Sequence, residues 1–257
     1  MSLGGGIKPT LRCLPHRWAT VIFLICIPWL VIAVVVISHS RPALVGSAMT
    51  QTLPPTTDRA ADDVSDVTAT FRGNLINSSD QLAGVGYTNS FRCVGADVGG
   101  MRFPICVYAA EDDVWVSASF VGGGYWERPV VERVVRLLRR YPDVGLVDLG
   151  ANVGTFALPA ARLTDVVAVE PYSESMARLF ESVRRSGVRT NVSLVMNAVS
   201  DRRSVSALGF LPGNLGATYL KTPNSTDCRR GRCTRTVVLD DLLPLVRRRR
   251  VVMKVGT

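Results

Sequence analysis

The segment VDLGANVGT, residues 147–155, joins a short apolar run at 145–149 to a second apolar stretch at 155–163. A strand that breaks at glycine and resumes as a helix is where a doubly wound α/β sheet meets its ligand. Helix N-terminal amides and a close backbone approach concentrate there. Gly150 and Gly154 supply the clearance, and Asp148 places a carboxylate at the strand end. Twenty residues after Gly150, Glu170 closes the next apolar run, 166–170. An acid at that position can accept hydrogen bonds from both ribose hydroxyls.

Outward from this core, Pro171 biases Glu170 away from helical geometry. Ser173 is placed to cap a helix carrying Met176, Leu179, Phe180 and Val183 on one face, which Gly187 stops. Residues 192–196 and 251–255 read as a third and a fourth core strand, with looser hairpin strands near 217–220 and 236–239. Upstream, 105–108 and 114–120 read as strands, the second from its alternating Val114, Val116, Ala118 and Phe120. Residues 126–140 read as a helix with valines and leucines inward and arginines on a solvated face. Strands alternating with helices predict an α/β fold around a parallel sheet of about four core strands.

The loop also selects among ligands. A dinucleotide pattern needs glycine at 150, 152 and 155, and this chain has Gly150, Asn152 and Thr155. The methyl-donor pattern, acid-x-G-x-G-x-G, meets Asp148, Gly150, Asn152 and Gly154, three matches of four. There is no phosphate-loop lysine. S-adenosylmethionine is favoured over a nicotinamide cofactor, and a tight turn without a ligand is the bland alternative.

The 257 residues are 47% hydrophobic and 20% charged, with a mean hydropathy of +0.21, too apolar for a disordered chain. The two histidines, His16 and His39, both precede Arg41. Histidine-based nucleophilic catalysis, acid–base catalysis and zinc ligation are thereby excluded from the body. Of the net charge of +9, four units sit on Lys8, Arg12, Arg17 and Arg41, with no acid in that segment.

Residues 19–37 carry no charge, and at ~1.5 Å each they would span roughly 28 Å as a helix, close to a bilayer core. The expected layout is a cytosolic tail at 1–17, a signal-anchor helix at 18–38 and a disordered stalk at 39–90. N-terminal strands and a helix follow at 91–144, and the cofactor-binding core occupies 145–257. Cleavage of a signal peptide at Ala48 is the alternative to an anchor. Lysine and arginine before the span keep the N-terminus cytosolic. The chain is then a single-pass type II membrane protein of the secretory pathway, in Golgi or ER, with its body in the lumen. Nucleic acid is not an expected partner there.

Cys93, Cys106, Cys228 and Cys233 form an even set beyond the span. Four thiols allow three connectivities, of which Cys93–Cys106 with Cys228–Cys233 is chosen. Without histidine or CxxC spacing, no metal site is expected. Asn77, Asn191 and Asn224 each open an N-x-S/T sequon.

Five stretches, taken in order, resemble the FkbM-type S-adenosylmethionine-dependent methyltransferases, in particular membrane-tethered animal members. They are GGYWE at 123–127, VDLGANVGTFALPAA at 147–161, VVAVEP at 166–171, NAVSD at 197–201 and VVLDDLLP at 237–244. The resemblance covers roughly 93–254. It implies a class I methyltransferase fold and methyl transfer to a hydroxyl acceptor. By position, Asp148, Gly150, Asn152 and Gly154 would line the methionine and ribose part of the cofactor. Glu170 would hold the ribose, and Asn197 with Ala198 would sit beside the adenine. In that family an acidic D-x-E-G motif follows the lysine of the fourth strand, whereas here Met253-Lys254-Val255 is followed by Gly256 and Thr257. A chain truncated at its C-terminus, with an exposed sheet edge, is the expectation.

Asp240 and Asp241 are the candidate catalytic acids, with capping of the segment at 242–246 as their structural alternative. A non-catalytic lumenal binding or trafficking module that keeps the fold is the competing function.

Overall fold

The computed structural model describes residues 21–27, 30–35, 73–78, 80–83, 87, 90–229 and 232–256. In chain order it begins with β1 (Val21–Ile27), β2 (Leu30–Val35), α1 (Asp80–Ala83), β3 (Cys93–Val98) and β4 (Met101–Cys106). Next come α2 (Val116–Val121), α3 (Arg128–Arg140), β5 (Val144–Leu149), α4 (Ala157–Ala161), β6 (Val166–Val169) and α5 (Ser173–Ser186). Then follow β7 (Val192–Val195), β8 (Ala198–Val199), β9 (Val205–Leu211), β10 (Asn214–Lys221), α6 (Ser225–Arg229) and β11 (Cys233–Val237). A 3-10 segment, Leu239–Leu245, leads into β12 (Arg250–Gly256).

Strands β12, β5, β6 and β7 lie side by side and parallel, the expected four-strand core. Both faces of a parallel sheet are buried, so each strand is apolar throughout, and alternation only sorts its residues between the faces. Leu146, Ala168, Leu194 and Val252 meet the apolar sides of α3, α4 and α5. Val147, Val167, Val169 and Met253 meet Leu242, Leu243 and Leu245 on the other side. A second sheet, in the order β10-β9-β11-β8, stands over the carboxyl ends of the core strands, where its hairpin reaches the loop after β5.

The run 19–37 departs from expectation. Among the described residues no helix is long and apolar enough to cross a membrane. The described parts of the run are β1 and β2, paired antiparallel, with β2 antiparallel to β12. The physical reason lies in the composition. VIFLICI and LVIAVV are rich in β-branched residues, which suit a pleated surface as well as a bilayer, and Pro28 falls between them. The edge of β12 that was expected to be bare is paired by β2, which satisfies its backbone groups. The tail at 1–17 and most of the stalk lie outside the described residues.

The folded body reaches back before residue 91. Ile76 and Leu82 are fully buried, Leu75 bridges to Val195, and the Ile76 N–H donates to the Leu194 carbonyl. Residues 114–120, expected as a strand, form most of α2. The Asp113 carboxylate accepts from the Val116 and Ser117 amides and from the Ser117 hydroxyl, and this capping overrides the alternation. Ser173 is the first helical residue of α5 and makes no cap; Gly187 does end that helix, with φ of 68°.

Both disulfides have the chosen connectivity. Cys93–Cys106 closes the β3–β4 hairpin, and Cys228–Cys233 ties α6 to β11. Of the sequon asparagines, Asn77 and Asn224 are exposed. Asn191 is half-buried, and its Nδ2 donates to the Ala161 carbonyl at 2.9 Å, so its amide is already engaged.

Candidate functional site

The loop after β5 is wound tightly, with positive φ at Gly150 (75°), Asn152 (51°) and Gly154 (105°). A Cβ on Gly154 would lie 2.7 Å from Leu179 and 2.9 Å from Leu158, so only glycine lets α4 and α5 close on the loop. The loop amides turn inward to protein partners. Those of Gly150 and Ala151 donate to the Val169 carbonyl, and that of Gly154 to the Ala151 carbonyl. The Asn152 N–H donates to Glu170 Oε2 at 2.8 Å, while Glu170 Oε1 accepts from the Tyr172 N–H at 2.9 Å. Glu170 thus accepts one hydrogen bond on each oxygen and also lines the cavity. Burial raises the Glu170 carboxyl to about 7, against the opposing pull of its two backbone hydrogen bonds.

Above the loop is a cavity of about 920 Å³. Its floor holds Gly150, Asn152 and Glu170, and its far side holds Asn197 and Ala198. Five of the seven expected cofactor residues therefore line this one cavity. The other two do not reach it. Gly154 packs against helices, and Asp148 is fully buried beneath the floor with Lys254 Nζ 3.1 Å from its Oδ1. Asn197 lines the cavity, but its side chain is spent locally: Oδ1 accepts from the Asn74 N–H and Nδ2 donates to the Arg235 carbonyl. Its part is to hold strand ends in place beneath Ala198.

Asp240 and Asp241 are not in the cavity wall. Asp241 accepts from the Val238 N–H at 3.0 Å and pairs with Arg203, so it caps the 3-10 segment, its structural alternative.

Sequence reasoning missed three contributors. Lys254 lines the cavity, yet its ammonium is fully used by the Gly150 carbonyl at 2.6 Å, the Leu149 carbonyl at 3.5 Å and Asp148. Glu127, inside GGYWE, adopts a left-handed backbone with φ of 53°, and burial raises its carboxyl. That a non-glycine residue takes this conformation is not legible from composition. The hairpin β9–β10 forms the roof, pressed so close that the Asn152 Nδ2 donates to the Gly216 carbonyl at 3.4 Å.

The charged residues of the wall are Glu127, Glu170 and Lys254. With Lys254 already neutralised by its partners, the cavity presents acids and apolar surface. Asn152 Oδ1 and Thr155 Oγ1 are buried there without a hydrogen-bond partner. A nucleoside whose hydroxyls donate to Glu170 fits this wall, whereas a pyrophosphate finds neither a free cation nor free loop amides at 150–152 and 154.

No family model and no curated protein matches the sequence. The chain has a slight likeness to several solved structures. The complex of aTrm5 with tRNALeu aligns at 10% identity with a TM-score of 0.29, over 44% of this chain and 34% of that one. The M. jannaschii tRNA m1G37 methyltransferase aligns at 12% identity with a TM-score of 0.25, over 45% and 35%. Methanocaldococcus jannaschii Trm5 in complex with adenosine gives 12% and 0.25, over 45% and 36%. The chain spans about a third of the length of each.

Proposed function

We propose that this chain is an S-adenosylmethionine-dependent methyltransferase of FkbM type that methylates a hydroxyl acceptor. The observation that carries the reading is Glu170, a buried carboxylate at the tip of β6 that lines a cavity roomy enough for a nucleoside, with no free cation in its described wall. When bound, the cofactor would supply an activated methyl group. Such a transfer gains chiefly from alignment, so it suits a body without histidine. Glu170 would receive the ribose hydroxyls, Asn152 would support them, and Ala198 would border the base. Lys254 keeps the loop in shape and transfers no proton in this scheme.

The two disulfides support work in an oxidising compartment, which fits the secretory pathway. The run 19–37 can serve as a membrane anchor only if Leu30–Val35 leaves its place beside β12, so membrane attachment is tested separately, by alkaline extraction of expressing cells. The function itself is tested by calorimetry of the full chain with S-adenosylhomocysteine and with NADH. Heat with the first, lost in Glu170→Ala, is expected. Heat with NADH alone sinks the reading. A folded chain that binds the cofactor product yet transfers no methyl group to any hydroxyl would favour the non-catalytic module.

A further inference from the structure

The cavity is larger than a nucleoside needs. At about 920 Å³ it lies near the top of the roughly 300–1,000 Å³ range of small-molecule sites, so a second molecule has room beside the cofactor. Besides Glu170 and the loop after β5, the wall holds Trp115 and Trp126, with ring centroids 6.1 Å apart, and Leu211, Tyr219 and Leu220 of the hairpin. Trp115 is 55% and Tyr219 52% exposed, so apolar surface continues out through the mouth. Exposed apolar groups gathered at one opening, rather than scattered, mark a contact surface. Tyr219 is held there by register: it pairs with Gly209, and its ring lies where a Cβ on Gly209 would be, 2.4 Å away.

Glu127 is the charged group that lines this part of the cavity beside the aromatic rings. Among the described residues its carboxylate makes no hydrogen bond and no ion pair. Its backbone is left-handed, a strained conformation for a non-glycine residue, and such strain collects at ligand sites. The carboxylate also does not cap α3, although Glu127 occupies the N-cap position. The arginines that could draw an anion lie elsewhere: Arg248 and Arg250 pair with Asp165 and Asp143, and neither lines the cavity.

We propose that this second half is the acceptor subsite, that it takes an uncharged molecule with an apolar body, and that the molecule's hydroxyl donates a hydrogen bond to Glu127. This rests on the methyltransferase reading, because it assigns Glu170 and its surroundings to the cofactor. An anionic acceptor, such as an acidic glycan or a nucleic acid, would meet the Glu127 carboxylate, and the cation that acts on Glu127, Lys254, is already paired with Asp148, so such an acceptor is rejected.

The test uses three probes of one shape: 2-naphthol, 2-methylnaphthalene and 2-naphthoate. Their binding to the full chain is measured by equilibrium dialysis with S-adenosylhomocysteine present, and its own binding is followed by calorimetry. The naphthol should bind at least about tenfold tighter than the other two, since loss of a hydrogen bond at a built site or an unpaired charge costs that much. In Glu127→Leu the naphthol should lose its advantage over the methyl analogue, with S-adenosylhomocysteine affinity within about twofold of the parent. Leu211→Asp, at a half-exposed position, should weaken all three probes. Equal binding of the carboxylate, or a naphthol preference that survives Glu127→Leu, overturns the proposal. If Glu127→Leu instead weakens S-adenosylhomocysteine, the carboxylate serves the cofactor and the proposal falls. Failure of S-adenosylhomocysteine to bind while naphthol discrimination persists would overturn the methyltransferase reading alone.

Discussion

Lys254 Nζ lies 2.6 Å from the Gly150 carbonyl oxygen and 3.1 Å from Asp148 Oδ1, so β12 holds the loop after β5 by a buried ion pair. Removing one partner of such a pair leaves a charge without compensation, which generally costs about 3–5 kcal/mol. Lys254→Met should therefore lower the thermal midpoint sharply, and adding Asp148→Asn to the same chain should recover part of the loss. An unchanged midpoint in Lys254→Met would remove the ion pair from the account of the loop.

Glu170 gives a pH dependence whose sign is definite. Its carboxyl is raised from 4.5 to about 7 in the folded chain, so the folded state holds its proton more tightly than the unfolded one. The contribution is fully present below pH 4.5 and is lost as pH rises through about 7, beyond which it is flat. Denaturant midpoints across this window should fall, and Glu170→Gln should flatten that segment of the profile. A ligand whose hydroxyls donate to the carboxylate prefers its ionised form, so affinity for S-adenosylhomocysteine should climb over the same window.

At Gly154 both φ and space exclude a side chain. Gly154→Ala should destabilise by about 1–3 kcal/mol through overpacking, and by more because its φ of 105° is unfavourable. Gly213→Ala is the control: its φ of 67° is also positive, but the nearest atom to the added Cβ is 3.9 Å away. Comparable losses at the two positions would show that backbone conformation alone, not packing against Leu158 and Leu179, explains Gly154.

Asp241 separates capping from catalysis. Asp241→Ala should cost about 0.5–2 kcal/mol of stability, the usual range for a lost cap, and leave S-adenosylhomocysteine affinity unchanged. A stable variant with lost binding would return this acid to the functional site.

Expression in a secretory host should divide the sequons. Asn77→Gln and Asn224→Gln should each remove one glycan, seen as a mobility shift that glycosidase treatment abolishes. Asn191→Gln should change nothing, because the Asn191 amide donates to Ala161 within the fold. A glycan at Asn191 would require that hydrogen bond to be broken.

Much of the core was legible because its signals are local. The apolar runs at β5, β6, β7 and β12, the glycines of the loop and the Glu170-Pro171 break each state their geometry within a few residues. Where a distant or unexpected partner decided, reading along the chain failed. Residues 114–120 alternate like a strand, but the Asp113 carboxylate organises them as a helix turn. The segment at 73–83 resembles a stalk by composition, yet Ile76 and Leu82 find the core.

The chain by itself determined a parallel α/β core, an acid at the tip of the second core strand, a loop with too few glycines for a dinucleotide and a body without histidine. These follow from residue type and spacing, which need no third dimension. Tertiary structure decided what each polar group is free to do. Asp148, Asn197 and Asp241 were all candidates by position, and packing spends them on Lys254, on backbone groups and on Arg203. Glu127 stood in the sequence only as the last residue of GGYWE, and the fold leaves its carboxylate without a hydrogen bond among the described residues. It also placed the described part of the apolar run: an uncharged β-branched segment satisfies a bilayer or a sheet edge equally well, and the open edge of β12 takes Leu30–Val35 as a strand.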